Sequence, residues 1–515
     1  MAKNKIYYDY IESNPSLLPF FTSLPKDFLT KLRNKDFLSK YLHKKTSTTP
    51  QFNIVSGQQP GIFGGPLYTF YKIIALSKLT KMLTNEFKIN VKPYFWVHSW
   101  DHDWEEACSI NFLTYDYQIL SVICPPFEEE KGKLLCKISL DKKTILSQIE
   151  KIFLNIKNSD FTPILKEKII NILNTSSNLS EWSSLLLKYF FSHSAEMSIF
   201  EPHQQPNFDI LTEIISIAIT NHQELYEKLS KTTLELEKLN YKPQVHKSPQ
   251  DAFFFIEENG KRTKVLYQNS NFISVQSGKI WTKHDLLNIL RYEPERFTPN
   301  LITRCIYQQM LLNPIIYIAG PAEVAYWAQL KDLFDTFSLP MPIIYPRPRI
   351  ILLPTKVKKW LVEFGINNLS NLFQDENNFD LTLSNLLTTS SSQIIQVTEK
   401  VREEVKERFL PRLYSILKGN FSSIQEFEKN YSDSANKIVH EIEKLITKLS
   451  RASAQKNEEI QQKGIKIRNV LFPNKTYQER FFSPIPFLSE YGLEVLKIIE
   501  ETIDIKNPNF QEVVL

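Results

Sequence analysis

Four of the chain's 12 glycines, Gly57, Gly61, Gly64 and Gly65, fall within nine positions of a 515-residue protein. The apolar run Phe52 to Val55 leads into this stretch, and a helical pattern (Leu67, Tyr71, Ile74, Leu76, Leu79) leads out of it. Strand, glycine-rich turn and helix is the arrangement that lets backbone N–H groups approach an anion at a helix N-terminus. Glycine permits positive φ and close backbone approach, and a chain so poor in it has little other reason to gather four together. The spacing is neither a Walker loop nor GxGxxG, so a tight structural turn stands beside the anion-binding reading. Ser56, Gly57, Gln58, Gln59, Gly61, Gly64 and Gly65 are candidate binding residues. Tyr68 and Lys72 join them, four apart on the outgoing helix, with Lys72 placed to meet an anion or to stand as a surface lysine.

Further along, apolar runs end in polar clusters. Val91 to His98 reads as a strand buried on both faces and is followed by Asp101-His102-Asp103. Met197 to Phe200 gives way to Glu201 and His203, Ile315 to Ile318 to Gly320-Pro321-Ala322-Glu323, and Pro342 to Tyr345 to Arg347 and Arg349. In open parallel α/β sheets, ligands bind beyond the carboxyl ends of the strands, so these distant clusters are expected to meet in one crevice. His98 and His102 are four apart with an acid between them. They follow a strand rather than lying on a helix, so no metal site is assigned. His102 suits hydrogen bonding or proton transfer, because an imidazole changes charge near neutral pH. Arg347 and Arg349 could grip a carboxylate or phosphate with two parallel hydrogen bonds or stand as solvated surface charges, and Glu323 would sit at a helix start, where the dipole favours it anyway.

The remaining residues set the organisation. We expect residues 1–140 to form the first part of the core and 141–195 a helical insertion. Residues 196–245 continue the core with a long helix over roughly 208–240. A small β-rich insertion spans 246–292, with a hairpin turn at Asn259-Gly260, and 293–355 complete the core. Strands are also expected at 118–124 and 133–140, and a helix at 324–337. Over 356–465 the chain becomes helical. Apolar residues from Ile424 through Phe427, Tyr431, Ala435, Ile438, Ile442, Leu445 and Leu449 to Ala452 step alternately by three and four, the pattern of a coiled coil. Residues 394–417 offer an antiparallel partner, and 466–515 regain the aromatics and prolines of a return to the core. A net charge of +5 demands neither a nucleic-acid nor a membrane partner. The start lacks a secretory apolar segment, no run approaches a membrane span, and a cytoplasmic protein is expected. Four scattered cysteines without CxxC pairing read as core residues.

Long stretches carry a resemblance. SGQQPGIFGGPLYTFYK (56–72), PYFWVHSWDHDWEE (93–106), PNLITRCIYQQMLL (299–312), YIAGPAEVAYWAQLKDLFDTFSLPMPIIYPR (317–347) and LFPNKTYQER (471–480) resemble the bacillithiol-biosynthesis cysteine-adding enzymes, the BshC family of cysteine ligases. The likeness runs in order from about residue 50 to 490. It implies an α/β fold with a Rossmann-type parallel-sheet core, inserted connecting segments and an α-helical coiled-coil domain through which a homodimer forms. It also implies amide formation between the carboxyl group of L-cysteine and the glucosamine amine of glucosaminyl-malate, the last step of bacillithiol synthesis. No tightly bound cofactor is expected; ATP with Mg²⁺ is the simplest cosubstrate to activate the carboxylate, as an acyl-adenylate or an acyl-phosphate. Asp101, His102 and Asp103 are the candidate catalytic residues, with Asp101 or His102 taking the amine's proton. His98, Gly320, Pro321, Glu323 and Arg347 extend the binding set. The family usually carries a glutamate just before Asp-His-Asp, where this chain has Trp100; if that glutamate is a binding group, either substrate contacts differ here or Glu105 or Glu106 substitutes. There is no KMSKS-like loop. Two other classes remain open: an adenylating or nucleotidyl-transferring enzyme on another small substrate, and a non-catalytic dimeric binding protein.

Overall fold

A computed structural model describes residues 5–41, 51–192, 197–367, 399–418, 424–454 and 458–515, with a few isolated residues between 368 and 398. Its centre is a parallel sheet of five strands: Phe52–Gln58, Val91–Val97, Ser198–Phe200, Pro314–Ala319 and Ile343–Pro346. In space they lie with Ile343–Pro346 at one edge, then Pro314–Ala319, Phe52–Gln58 and Val91–Val97, and Ser198–Phe200 at the other edge. Counted in chain order this is 3-2-1-4-5, the doubly wound order, whose direction reverses beside the Phe52–Gln58 strand. Both faces are covered. Ile54, Phe95 and Ile318 pack into one core, while Val55, Trp96 and Tyr317 pack into a second on the opposite face. Alternate residues of a strand point to opposite faces, so burial on both makes these strands near-continuous apolar runs.

Two excursions leave the sheet between its strands. Three helices, Lys142–Asn155, Phe161–Thr175 and Leu179–Phe190, follow the second strand. After the third comes an antiparallel sheet of Asp251–Glu258, Lys261–Gln268, Asn271–Ser274 and Ile280–Trp281, which recruits Phe297–Pro299 as its fifth strand. Its first hairpin turns at Asn259 and Gly260, whose φ values of 50° and 76° suit a two-residue hairpin loop.

Three expected elements differ. The long helix breaks at Asn221 into Phe208–Thr220 and His222–Lys238, because Asn221 leaves helical geometry (φ −107°, ψ 25°). Residues 324–337 likewise split into parts of Pro321–Trp327 and Lys331–Thr336. Residues 133–140 form a short helical turn at Leu135–Lys137 rather than a strand, held by backbone bonds from Leu135 to Asp101 and from Cys136 to Ser99.

The arm is helical, as the heptads require. Ile424–Ala454 is one helix, and 399–418 packs antiparallel to it through Arg402 on Glu443 and Tyr414 on Phe427; 394–398 lie outside the described residues. The chain then returns. Gln478–Phe481 follows the arm, and Phe510–Val514 pairs in parallel with Arg349–Leu353. No helix among the described residues is long and apolar enough to cross a membrane. Cys108, Cys124 and Cys305 are buried thiols and Cys136 is half-buried.

Candidate active site

Beyond the carboxyl ends of the central strands lies a cavity of about 560 Å³, closed on its far side by the antiparallel sheet. Gln58, Gln59, Tyr68, Lys72, His98, Asp101, His102, Gly320, Pro321, Glu323 and Arg347 all line it. Strand ends more than 250 residues apart in sequence thus meet, at the place where the strand order reverses.

The glycine stretch is a turn that folds on itself. The N–H groups of Gly61, Gly64, Gly65 and Leu67 donate to Ser183 Oγ, Gly61 O, Ile62 O and Phe482 O, at 3.1, 3.1, 3.1 and 2.9 Å. Those donors are therefore committed within the protein. Gly64 and Gly65 have φ of 83° and 81°, which only glycine adopts without strain. Gly57 is needed for a different reason: a Cβ there would stand 2.5 Å from the Trp96 carbonyl oxygen and 2.8 Å from His98 Nε2. Ser56 lies outside the cavity lining, its hydroxyl donating to the Ile318 carbonyl at 2.8 Å between neighbouring strands. Asp103 is outside it too, capping the next short helix by accepting from the Glu106 N–H at 3.1 Å.

Two of the expected anion-binding cations are already paired. Lys72 Nζ is 2.7 Å from Glu323 Oε2 and also donates to Gly57 O and Gln58 Oε1 at 2.6 and 3.0 Å. Glu323 accepts further from Tyr317 OH and the Gly320 N–H, each at 2.7 Å. Burial pushes the Lys72 ammonium below its usual range against the opposing pull of Glu323. Burial alone would raise Glu323, but Lys72 overrides it and holds the carboxyl low. Arg347 donates twice to Glu479, at 2.7 and 2.8 Å, with both side chains 2% exposed. Arg349 is also buried, 4.0 Å from Glu479 and over the Phe510 ring. Neither arginine is the solvated surface charge that a strand end would allow.

The catalytic candidates meet an arginine that the sequence reading passed over. Arg262, from the antiparallel sheet, is fixed by bonds from Nε to Thr298 Oγ1 and from Nη2 to Pro299 O, at 3.0 and 2.7 Å. Its Nη1 lies 3.0 Å from His102 Nδ1 and 3.6 Å from Asp101 Oδ1. A guanidinium can only donate, so the contact from Arg262 Nη1 makes His102 Nδ1 the acceptor and leaves Nε2 to carry the ring N–H. His102 is therefore set as a donor. Burial would raise the Asp101 carboxyl, but His102 and Arg262 hold it far below its usual range. Burial, with Arg304 and Lys72 nearby, keeps His98 neutral.

Arg304 and Arg480 were also missed as site residues, although both stand inside motifs that carried the resemblance. Arg304 reaches His98, Tyr326 and Cys305 and, among the described residues, has no carboxylate partner. Trp100, in the place of the family's glutamate, packs against Tyr307 with ring centres 5.5 Å apart. Glu106 lines the cavity and Glu105 does not. Partial desolvation at the cavity wall, and Asp103 beside it, push the Glu106 carboxyl up.

This doubly wound sheet, with a charged crevice where its strand order reverses, defines a Rossmann-like α/β protein. Residues 40–348 match the family described as "Bacillithiol biosynthesis BshC, N-terminal Rossmann-like domain", and residues 350–515 match its "C-terminal coiled-coil domain". The chain belongs to the BshC family of bacillithiol biosynthesis. Similar proteins include the "Putative cysteine ligase BshC" of Staphylococcus epidermidis, 26% identical over 86% of this chain and 81% of the relative. The protein of the same name from Staphylococcus aureus strain MRSA252 is 27% identical over the same shares. Among solved structures, a putative arginyl-tRNA synthetase from Campylobacter jejuni aligns over 92% of this chain and 98% of its own, at 12% identity and a TM-score of 0.27. That likeness is too weak to carry an argument.

Proposed function

We propose that this protein is a ligase that joins the carboxyl group of L-cysteine to the glucosamine amine of glucosaminyl-malate. Its family and the names of its relatives support the reading. The observation that carries it is the cavity itself, which Arg262 and Arg304 both line and where Arg304 lacks a carboxylate partner among the described residues. A substrate with two malate carboxylates supplies the missing charge, and guanidiniums suit planar carboxylates. Amide formation from a free carboxylate in water is uphill, so ATP with Mg²⁺ is proposed as the activating cosubstrate. The amine nitrogen bonds to the activated carbonyl carbon, and the carbonyl carbon's bond to the phosphate oxygen breaks. The amine loses a proton once bonding has made it acidic. At that stage even a weak base suffices, and Asp101 is the nearest carboxylate to His102. The Nε2–H of His102 is the donor available to developing negative charge, as preorganised donors in such sites are.

A homodimer through the arm is part of the proposal. Leu445 and Leu449, both at heptad positions, are 50% and 60% exposed in the single chain. Leu445→Glu with Leu449→Glu is expected to yield monomers by light scattering; an unchanged mass would remove the arm from the interface. A cytoplasmic setting follows from the substrates proposed.

The deciding experiment is mass spectrometry on purified protein with glucosaminyl-malate and L-cysteine, with and without ATP. Product only with ATP supports the ligase, and release of AMP or ADP separates acyl-adenylate from acyl-phosphate. Product without ATP would mean an already activated donor. No product from folded protein would move the reading to another small substrate, or to a binding protein without chemistry.

A further inference from the structure

A second, smaller cavity of about 150 Å³ lies beneath the glycine turn, next to the main one. Five residues line both: Gln58, Gln59, Tyr68, Glu106 and Arg480. They form the partition. Gln58 Nε2 donates to Tyr68 OH at 3.0 Å, and Tyr68 OH donates to Glu106 Oε1 at 3.3 Å. Glu106 and Arg480 are charges of opposite sign on one wall, yet they make no ion pair with each other or with any other described residue. Arg480 instead lies over the Tyr68 ring, 5.8 Å from its centre. Gln59 Nε2 is a buried donor without a partner among the described residues.

An unmade pair around a gap is the complement of a zwitterion. A guanidinium takes a carboxylate, a carboxylate takes an ammonium, and an unpaired amide N–H takes one more oxygen. The volume admits a small amino acid and excludes a glycoside, which leaves the larger cavity for the sugar. We infer that the small cavity is the subsite for the free α-amino acid, its carboxylate held by Arg480 and Gln59 and its ammonium by Glu106. Resting on the ligase reading, this assigns L-cysteine to the chamber under the glycine turn and brings its carboxyl group to the partition with the larger chamber. The same geometry explains how Glu106 serves this chain where Trp100 replaces the acid expected before Asp101.

Calorimetric titration tests it, with L-cysteine as the probe for wild type, Arg480→Gln, Glu106→Gln and Arg480→Lys, and glucosaminyl-malate as the control ligand. Both residues are exposed, so all three variants are expected to fold and to melt with wild type. The dissociation constant for L-cysteine is expected to rise at least tenfold in Arg480→Gln and Glu106→Gln and to recover in part in Arg480→Lys. Glucosaminyl-malate should bind all four within twofold. N-acetyl-L-cysteine, which lacks the ammonium, should bind wild type no better than L-cysteine binds Glu106→Gln. Absence of L-cysteine binding to wild type, an unmoved constant in the variants, or an equal loss for both ligands would overturn the subsite. The two readings separate cleanly. This binding pattern without amide product would sink the ligase and leave the subsite standing, whereas amide product with unmoved cysteine binding would do the reverse.

Discussion

Replacing Glu479 by Gln keeps the volume and one acceptor oxygen but removes the charge. In wild type, that carboxylate receives two hydrogen bonds of 2.7 and 2.8 Å from Arg347 and lies 4.0 Å from Arg349, with the Arg347–Glu479 pair 2% exposed on each side. Two guanidiniums would then share a dry site without a counter-charge. Breaking a buried pair by removing one partner costs about 3–5 kcal/mol, most of it the penalty of the charge left behind. At an unfolding entropy of about 2 cal/mol/K per residue, a chain of this size loses about 1 °C per kcal/mol if it melts as one unit. The expected fall in melting temperature is therefore about 3–5 °C, read by differential scanning calorimetry. Replacing both partners with apolar residues of similar volume, Arg347→Met with Glu479→Leu, should lower it less than Glu479→Gln alone. The KM for glucosaminyl-malate should hardly move in variants that stay folded. If Glu479→Gln melts with wild type while that KM rises tenfold, Arg347 is a free substrate-binding group and the pairing argument is wrong.

Three further outcomes follow from other contacts. His102→Ala should lower turnover about 10²-fold, as loss of one preorganised donor does, and His102→Gln, which keeps an N–H, should retain far more; equal loss in both would restore the proton-transfer role. Gly57→Ala must push the strand away from the Trp96 carbonyl, costing about 1–3 kcal/mol in urea titration, and should also displace His98. Burial holds His203 at about 4, below the usual imidazole range, so between those values the unfolded chain binds a proton that the folded chain does not. Its contribution is complete above about pH 6.5 and is lost as pH falls to 4, about 1–2 kcal/mol after allowing for solvent screening. Glu201 beside it, pushed up by burial, works in the opposite sense. The measurement is therefore the difference in melting temperature between His203→Gln and wild type across pH 7 to 4, which should shrink on acidification.

The sheet was legible because burial on both faces writes strands as unbroken apolar runs, and because polar residues collect where such runs stop. Val91 to His98 followed by Asp101 and His102 shows both signals. What each charge does was not legible. Arg347 and Lys72 look like free cations in one dimension, and only the fold shows that Glu479 and Glu323 have neutralised them. Arg262 was hidden for the opposite reason: it sits in a polar hairpin of the inserted sheet, with no local pattern to mark it as facing His102. Helix ends at Asn221 and near residue 328 were missed because the apolar spacing continues across them while the backbone does not.

The grip of Glu479 on Arg347 spans 132 residues, and the whole helical arm lies between them. During synthesis at about 5–20 residues per second, Arg347 leaves the ribosome about 7–26 s before its counter-charge exists. Throughout that interval the edge strand Ile343–Pro346 has been made, while the carboxylate that neutralises the arginine after it has not. A ribosome that stops short of Glu479 therefore releases a chain with an unpaired charge at the sheet rather than a fault confined to its end.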